Sequence, residues 1–130
     1  MPVPAASDMQ FGPSGRFPKT SRLLKHSDFQ AVYKQGRKTF SGNLTAFYRE
    51  RDDSASARVG FAVGRVLGGS VQRNRIKRRM RAAVQPNLGE LKRPLDVVLH
   101  PRKAVLNMMF AELKAEVQKL FVAVEKGKGR

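Results

Sequence analysis

Six of the nine residues in the stretch 73–81 (Arg-Asn-Arg-Ile-Lys-Arg-Arg-Met-Arg) are Lys or Arg, and no acid interrupts them. Continued through Ala82, Ala83 and Val84 and read at about 100° per residue, the stretch has two faces. Ile76, Met80, Ala83 and Val84 fall within one arc of roughly 100°. Arg75, Lys77, Arg78, Arg79 and Arg81 spread over the rest, with Asn74 among them. Arg73 points toward the apolar arc from the first turn, where it can swing outward. Any fold for this chain must place that arc on a core and leave the other face to an anionic partner, because clustered cations repel one another until neutralised.

The 130 residues fit one domain and carry a formal charge of +16. Residues 70–94 hold +7 of it, and the chain before and after is more weakly basic. So basic a chain points to a polyanion, with nucleic acid first. No cysteine is present, which excludes disulfides, thiolate metal sites and a cysteine nucleophile. His26 and His100 have no metal-ligand spacing. No apolar run approaches the roughly 20 residues of a membrane span, and the Pro/Ala/Ser-rich N-terminus lacks a signal-peptide pattern. A cytoplasmic protein with no membrane partner is the expectation.

Residues 1–16 read as a flexible leader, residues 17–125 as the folded domain and residues 126–130 as a basic tail. A helix is expected over residues 27–36, with Ser27 and Gln30 as a capping box, Phe29, Val32 and Tyr33 on one face, and Gly36 as its stop. A strand is expected over residues 39–50, with Leu44, Ala46 and Tyr48 facing one way and Thr45 and Phe47 the other. Residues 51–57 read as a polar hairpin connection to a second strand over residues 58–65. In that strand Val59, Phe61 and Val63 form one face, and Gly60, Ala62 and Gly64 the other. Such a small-residue face either leaves a shallow surface for a base or backbone, or makes room for a packed helix. Ser70 is placed to cap the basic helix over residues 70–84. A short buried strand over residues 95–99 and a long amphipathic helix over residues 106–124 complete an α+β chain, with helices packed on a small sheet.

No catalytic group stands out. Asp52 and Asp53 read as solvated turn acids, Asp96 as the partner of a local ion pair, and His26 and His100 as structural. Gly64, Gly68 and Gly69 precede a helix without the spacing or lysine of a nucleotide loop. Nucleic-acid binding has positive support from the arginine-rich helix and from Phe29, Tyr33 and Tyr48, which would stack on unpaired bases if exposed and otherwise pack in the core.

The segments Arg58-Val59-Gly60-Phe61-Ala62-Val63 and Arg73-Asn74-Arg75-Ile76-Lys77-Arg78 with Arg81 resemble the protein subunit of bacterial ribonuclease P. Asp28-Phe29-Gln30, Val32-Tyr33 and Gly36 are similar to that family's first helix, and Leu95-Asp96-Val97-Val98-Leu99 to its last strand. The resemblance spans roughly residues 16–124. It implies a ribosomal protein S5 domain 2-like fold with a left-handed βαβ crossover. It implies a catalytic RNA partner, a precursor tRNA substrate and magnesium ions bound mainly by that RNA, with one protein per RNA. Carried over, Arg65, Arg73, Asn74, Arg75, Lys77, Arg78, Arg79 and Arg81 contact the RNA subunit. Phe29, Tyr33, Tyr48 and Ala62 contact the 5′ leader of precursor tRNA, with the small face of the second strand as the cleft floor. Two positions depart from the family pattern: Val66 follows Arg65 where two lysines are common, and Ala62 stands where a hydroxyl is frequent. The competing readings are a structural RNA-binding protein with no enzymatic complex and a basic helix lying on an anionic membrane.

Overall fold

The alternating stretch before residue 50 is interrupted by Ser41-Gly42-Asn43, and the chain folds back there. In the computed structural model, which describes residues 22–23, 25–53 and 56–127, it forms β1 (Arg37–Phe40) and β2 (Leu44–Glu50), paired antiparallel. The expected single strand is therefore a hairpin. Its turn is held from a distant helix: the Glu116 carboxylate accepts from the Ser41 hydroxyl, from the Asn43 N–H at 2.8 Å and from Asn43 Nδ2 at 3.1 Å.

β3 (Arg58–Phe61) and β4 (Leu95–Pro101) complete a sheet of order β1-β2-β4-β3. β4 runs antiparallel to β2 and parallel to β3. Residues 51–57 are thus not a hairpin connection, because β4 inserts between the strands they join. The apolar run of β4 is buried along its length, which requires a neighbour on each side. β3 also ends earlier than expected. Ala62 still donates to the Leu99 carbonyl at 2.9 Å, but Pro101 has no N–H with which to continue the ladder.

The passage from β2 to β3 is latched across the start of β4. Arg51 donates its N–H to the Pro94 carbonyl at 2.8 Å and its guanidinium to the carbonyls of Leu95 at 3.1 Å and Ser56 at 2.6 Å. Beneath it lies Asp96, fully buried. Its carboxylate accepts from Arg51, takes Arg58 in a bidentate pair at 2.9 Å on both oxygens, and has Arg49 at 3.6 Å. The ion pair expected at Asp96 is present, with three arginines in place of one. The carboxylate raises the Arg58 pKa above its ordinary value, chiefly through their hydrogen bond.

Among the described residues, three helices cover the sheet. α1 (His26–Gln35) starts without a side-chain cap; the Lys25 carbonyl accepts from Asp28 and Phe29 instead. The Ser27–Gln30 box does not form, and Gln30 Nε2 lies 3.2 Å from His26 Nε2. Gly36 does end the helix, for a reason of space: a Cβ there would lie 2.4 Å from both the Val32 and Tyr48 carbonyl oxygens. α2 (Ser70–Val84) begins after Gly69, whose N–H donates to Gln72 Oε1 at 3.0 Å, so Ser70 is inside the helix and not its cap. α3 (Phe110–Glu125) starts later than the expected residue 106, because residues Lys103–Leu106 close a separate 3₁₀ turn. Met109 and Phe110 are consequently exposed.

The two faces of the sheet carry separate cores. On one, Ile76, Met80, Ala83 and Val84 of α2 and Leu113, Val117, Leu120, Phe121 and Val124 of α3 pack on Leu44, Ala46, Tyr48, Val59, Phe61, Val97 and Leu99. On the other, α1 sets Phe29 and Val32 against Leu23, Ala62 and Val98. The small-residue face of β3 is accounted for there. A Cβ at Gly60 would lie 2.4 Å from Phe29 Cζ, so glycine makes room for the helix and leaves no open floor.

Candidate nucleic-acid interface

α2 displays its cations because its apolar arc is fully committed. Ile76 and Met80 are completely buried, which fixes the rotation of the helix and aims Asn74, Arg75 and Arg78 into solvent. Arg73 and Lys77 flank them, half-buried. Arg65 is exposed in the 3₁₀ turn ahead of the helix, and its neighbour Val66 is 93% exposed.

The display expected of the whole charged face is corrected at two positions. Arg79 donates Nε to the Val105 carbonyl at 2.9 Å and Nη2 to the Met108 carbonyl. It ties α2 to the segment leading into α3, and these carbonyls claim donors that a phosphate would otherwise use. Arg81 is only 8% exposed, and its Nη1 is buried without a hydrogen-bond partner. Burial lowers its pKa, and the charges of Arg22 and Arg78 add to the effect.

The aromatic expectation is also corrected. Phe29 is fully buried, Tyr48 is 3% exposed and Ala62 4%, so none of the three presents a surface to a base. Phe29 and Ala62 are held by the α1 core, whereas Tyr48 faces the α2–α3 side of the sheet. Tyr33 is the one of the four that reaches solvent, half-buried at the end of α1.

Tyr33 is joined by two residues that the sequence did not single out as contacts. Its ring meets Phe47 edge-on at 5.2 Å between centroids and His100 at 5.5 Å; Phe47 and His100 are 4.9 Å apart. The Tyr33 hydroxyl and His100 Nε2 are 2.7 Å apart. Burial lowers the His100 pKa to about 4, so at neutral pH the imidazole is uncharged. Burial also raises the Tyr33 pKa, which keeps the phenol protonated. Lys38 Nζ stands 5.9 Å from the Phe47 ring centroid. The result is a shelf of aromatic edges and faces with a cation beside it, the chemistry that holds unpaired bases. The signal was present as parity: period-2 alternation separates Phe47 from Tyr48, and the β2–β4 register brings His100 beside Phe47.

Among the described residues, no three His, Cys, Asp or Glu side chains are grouped as a metal ion needs. No helix among them is long and apolar enough to cross a membrane.

A family model described as Ribonuclease P matches residues 17–125. The chain is 39% identical over 103 residues to a ribonuclease P protein component from Symbiobacterium thermophilum, covering 79% of this chain and 90% of the relative. It is 36% identical over 103 residues to one from Bacillus velezensis, covering 79% and 88%. Its fold is similar to the ribonuclease P protein from Thermotoga maritima, with a TM-score of 0.70 at 25% identity over 78% of this chain and 94% of that one. The chain belongs to the ribonuclease P protein family, the protein component of a tRNA-processing endoribonuclease.

Proposed function

We propose that the chain binds the catalytic RNA of ribonuclease P through α2 and the 5′ leader of precursor tRNA through the aromatic shelf. One observation carries the reading: Ile76 and Met80 anchor α2 so that Asn74, Arg75 and Arg78 face solvent together. Each phosphate that such a cation neutralises releases counterions, so affinity depends steeply on salt. Arg65, Arg73 and Lys77 extend this face, and Arg81 is buried beneath it. Arg79 supports the face by fixing the helix. On the other side of the sheet, Tyr33, Phe47 and His100 offer a place for unpaired leader bases. Phe29 and Ala62 act behind them as the packing that positions α1, and Tyr48 lies on the opposite face.

Hydrolysis of the leader phosphodiester belongs to the RNA in this reading. A magnesium ion held by that RNA would supply an activated water and stabilise charge on the reacting phosphate. The protein screens repulsion between two RNAs and positions the leader, acting in the cytoplasm as one protein per RNA.

The reading is tested by reconstituting the chain with a bacterial ribonuclease P RNA and assaying precursor tRNA cleavage at near-physiological salt. The complex should cleave and the protein alone should not. Magnesium-dependent cleavage by the protein without RNA would overturn the division of labour. Tyr33→Ala should weaken binding of precursor tRNA far more than of mature tRNA.

A further inference from the structure

The sheet face that carries Phe47 and His100 continues past the shelf to the edge strand. Phe40, the last residue of β1, pairs with Thr45 of β2, and Thr45 pairs with His100 of β4. In the neighbouring row Lys38, Phe47 and Val98 stand side by side. Paired residues point their side chains to one face, so Phe40 lies on the same face as Phe47 and His100. Unlike them it is open, with 72% of its surface exposed. We propose that Phe40 is a second stacking platform for single-stranded RNA, which holds the base next to the one at Phe47 and sets the phosphate between them against Lys38. The proposal rests on the leader-binding reading above.

The strand register carries the argument. Phe40 and Phe47 are diagonal neighbours across the β1–β2 pair, a separation of roughly 7–8 Å that lets two aromatic side chains serve one ligand. Lys38 adjoins both rings. It is two residues from Phe40 along β1 and directly opposite Phe47, with Nζ 5.9 Å from the Phe47 ring centroid. A base on each ring therefore brings the linking phosphate to an exposed ammonium group. Single exposed rings are ordinary on protein surfaces. What sets Phe40 apart is its row, shared with His100 and adjoining Phe47 and Lys38.

Charge selects the occupant. Of the side chains that β1, β2 and β4 place on this face, the one acid is Asp96, at the far end and bound by Arg51 and Arg58. Rings beside a cation, with no free acid among them, suit a ligand that alternates flat bases with phosphates, and stacking accepts any base. A second copy of this chain fits less well. Among the described residues β1 is the edge of the sheet, and its Arg37 and Lys38 oppose pairing with the same basic edge of another copy.

The test is equilibrium binding of precursor and mature tRNA to the full chain reconstituted with a bacterial ribonuclease P RNA, with thermal melts of each variant as a check on folding. Phe40→Ala should weaken precursor binding roughly 5- to 150-fold, the range for loss of one stacked base, and leave mature tRNA binding as it was. Phe40→Tyr should restore it. A single abasic nucleotide moved along the leader should cost affinity at two adjacent positions, one cost being absent in Tyr33→Ala and the other in Phe40→Ala. Lys38→Gln should lower the slope of log affinity against log salt by about 0.7. A folded Phe40→Ala variant that binds precursor as the unaltered chain does, with Tyr33→Ala still weakening, overturns this proposal alone. So does a loss in Phe40→Ala that no abasic position absorbs. If Tyr33→Ala also leaves precursor binding unchanged, the leader-binding reading fails and this proposal falls with it. A dimer of the unaltered chain in sedimentation that Phe40→Ala dissociates, with precursor binding unchanged, would assign the ring to a contact between copies and overturn the RNA assignment.

Discussion

The Tyr33 hydroxyl and His100 Nε2 share a hydrogen bond of 2.7 Å, joining the end of α1 to the end of β4. The bond spans the layer boundary beside Phe47, where burial disfavours a charged imidazole. In the unfolded chain His100 titrates near its ordinary value of 6.5, and in the fold near 4.

The folded state therefore resists protonation at His100. Its contribution to stability is fully present above pH 6.5, falls as the pH drops from 6.5 through 4, and is lost below that. The loss amounts to at most about 3 kcal/mol. Urea unfolding at pH 7 and pH 4.5 should show His100→Phe losing less stability on acidification than the unaltered chain. Equal acid sensitivity in both would place the titration elsewhere.

Gly60→Ala should destabilise the fold, because the new Cβ meets Phe29 Cζ at 2.4 Å. Overpacking of this kind costs about 1–3 kcal/mol. Phe29→Leu costs stability alone but should recover part of the loss in the double variant. A double-mutant cycle from denaturant melts checks this, and simple additivity would contradict the contact.

Asp96→Asn should lower stability by about 3–5 kcal/mol, since it removes the charge that compensates buried and half-buried arginines. The passage from β2 to β3 should loosen first, as Arg51 loses its ionic partner. Hydrogen exchange would register this as faster exchange at the Arg51 N–H, which bonds Pro94. Unchanged protection there would mean that the backbone bonds alone hold the latch.

Arg75→Ala with Arg78→Ala should weaken binding to ribonuclease P RNA and flatten its salt dependence by about 1–2 in log–log slope, with little change in thermal stability. Arg79→Ala should do the reverse, costing about 1–3 kcal/mol of stability through two unsatisfied carbonyls with a smaller change in slope. Identical behaviour of the two variants would erase the distinction drawn between display and support.

The basic helix was legible from sequence because helical periodicity is local: Ile76, Met80, Ala83 and Val84 are buried as their spacing predicts. The order of the strands was not, since pairing is a long-range choice; nothing between residues 51 and 57 says that a strand starting at residue 95 will lie between its ends. Arg78 and Arg79 illustrate the same limit within one helix. They differ by about 100° of rotation, and the carbonyls that claim Arg79 belong to Val105 and Met108. Among the aromatics, alternation separated Phe47 from Tyr48 correctly. Which face would carry α1, and hence which ring would be covered, depended on packing partners distant in the chain.

The cores under α1 and under α2 share no residue, with the sheet standing between them. Substitutions on the α1 side therefore perturb packing that α2 does not use, and their effects should add to those on the α2 side with little coupling. In the proposed reading, a change that alters the single-strand shelf therefore leaves the packing behind the RNA-binding helix as it was.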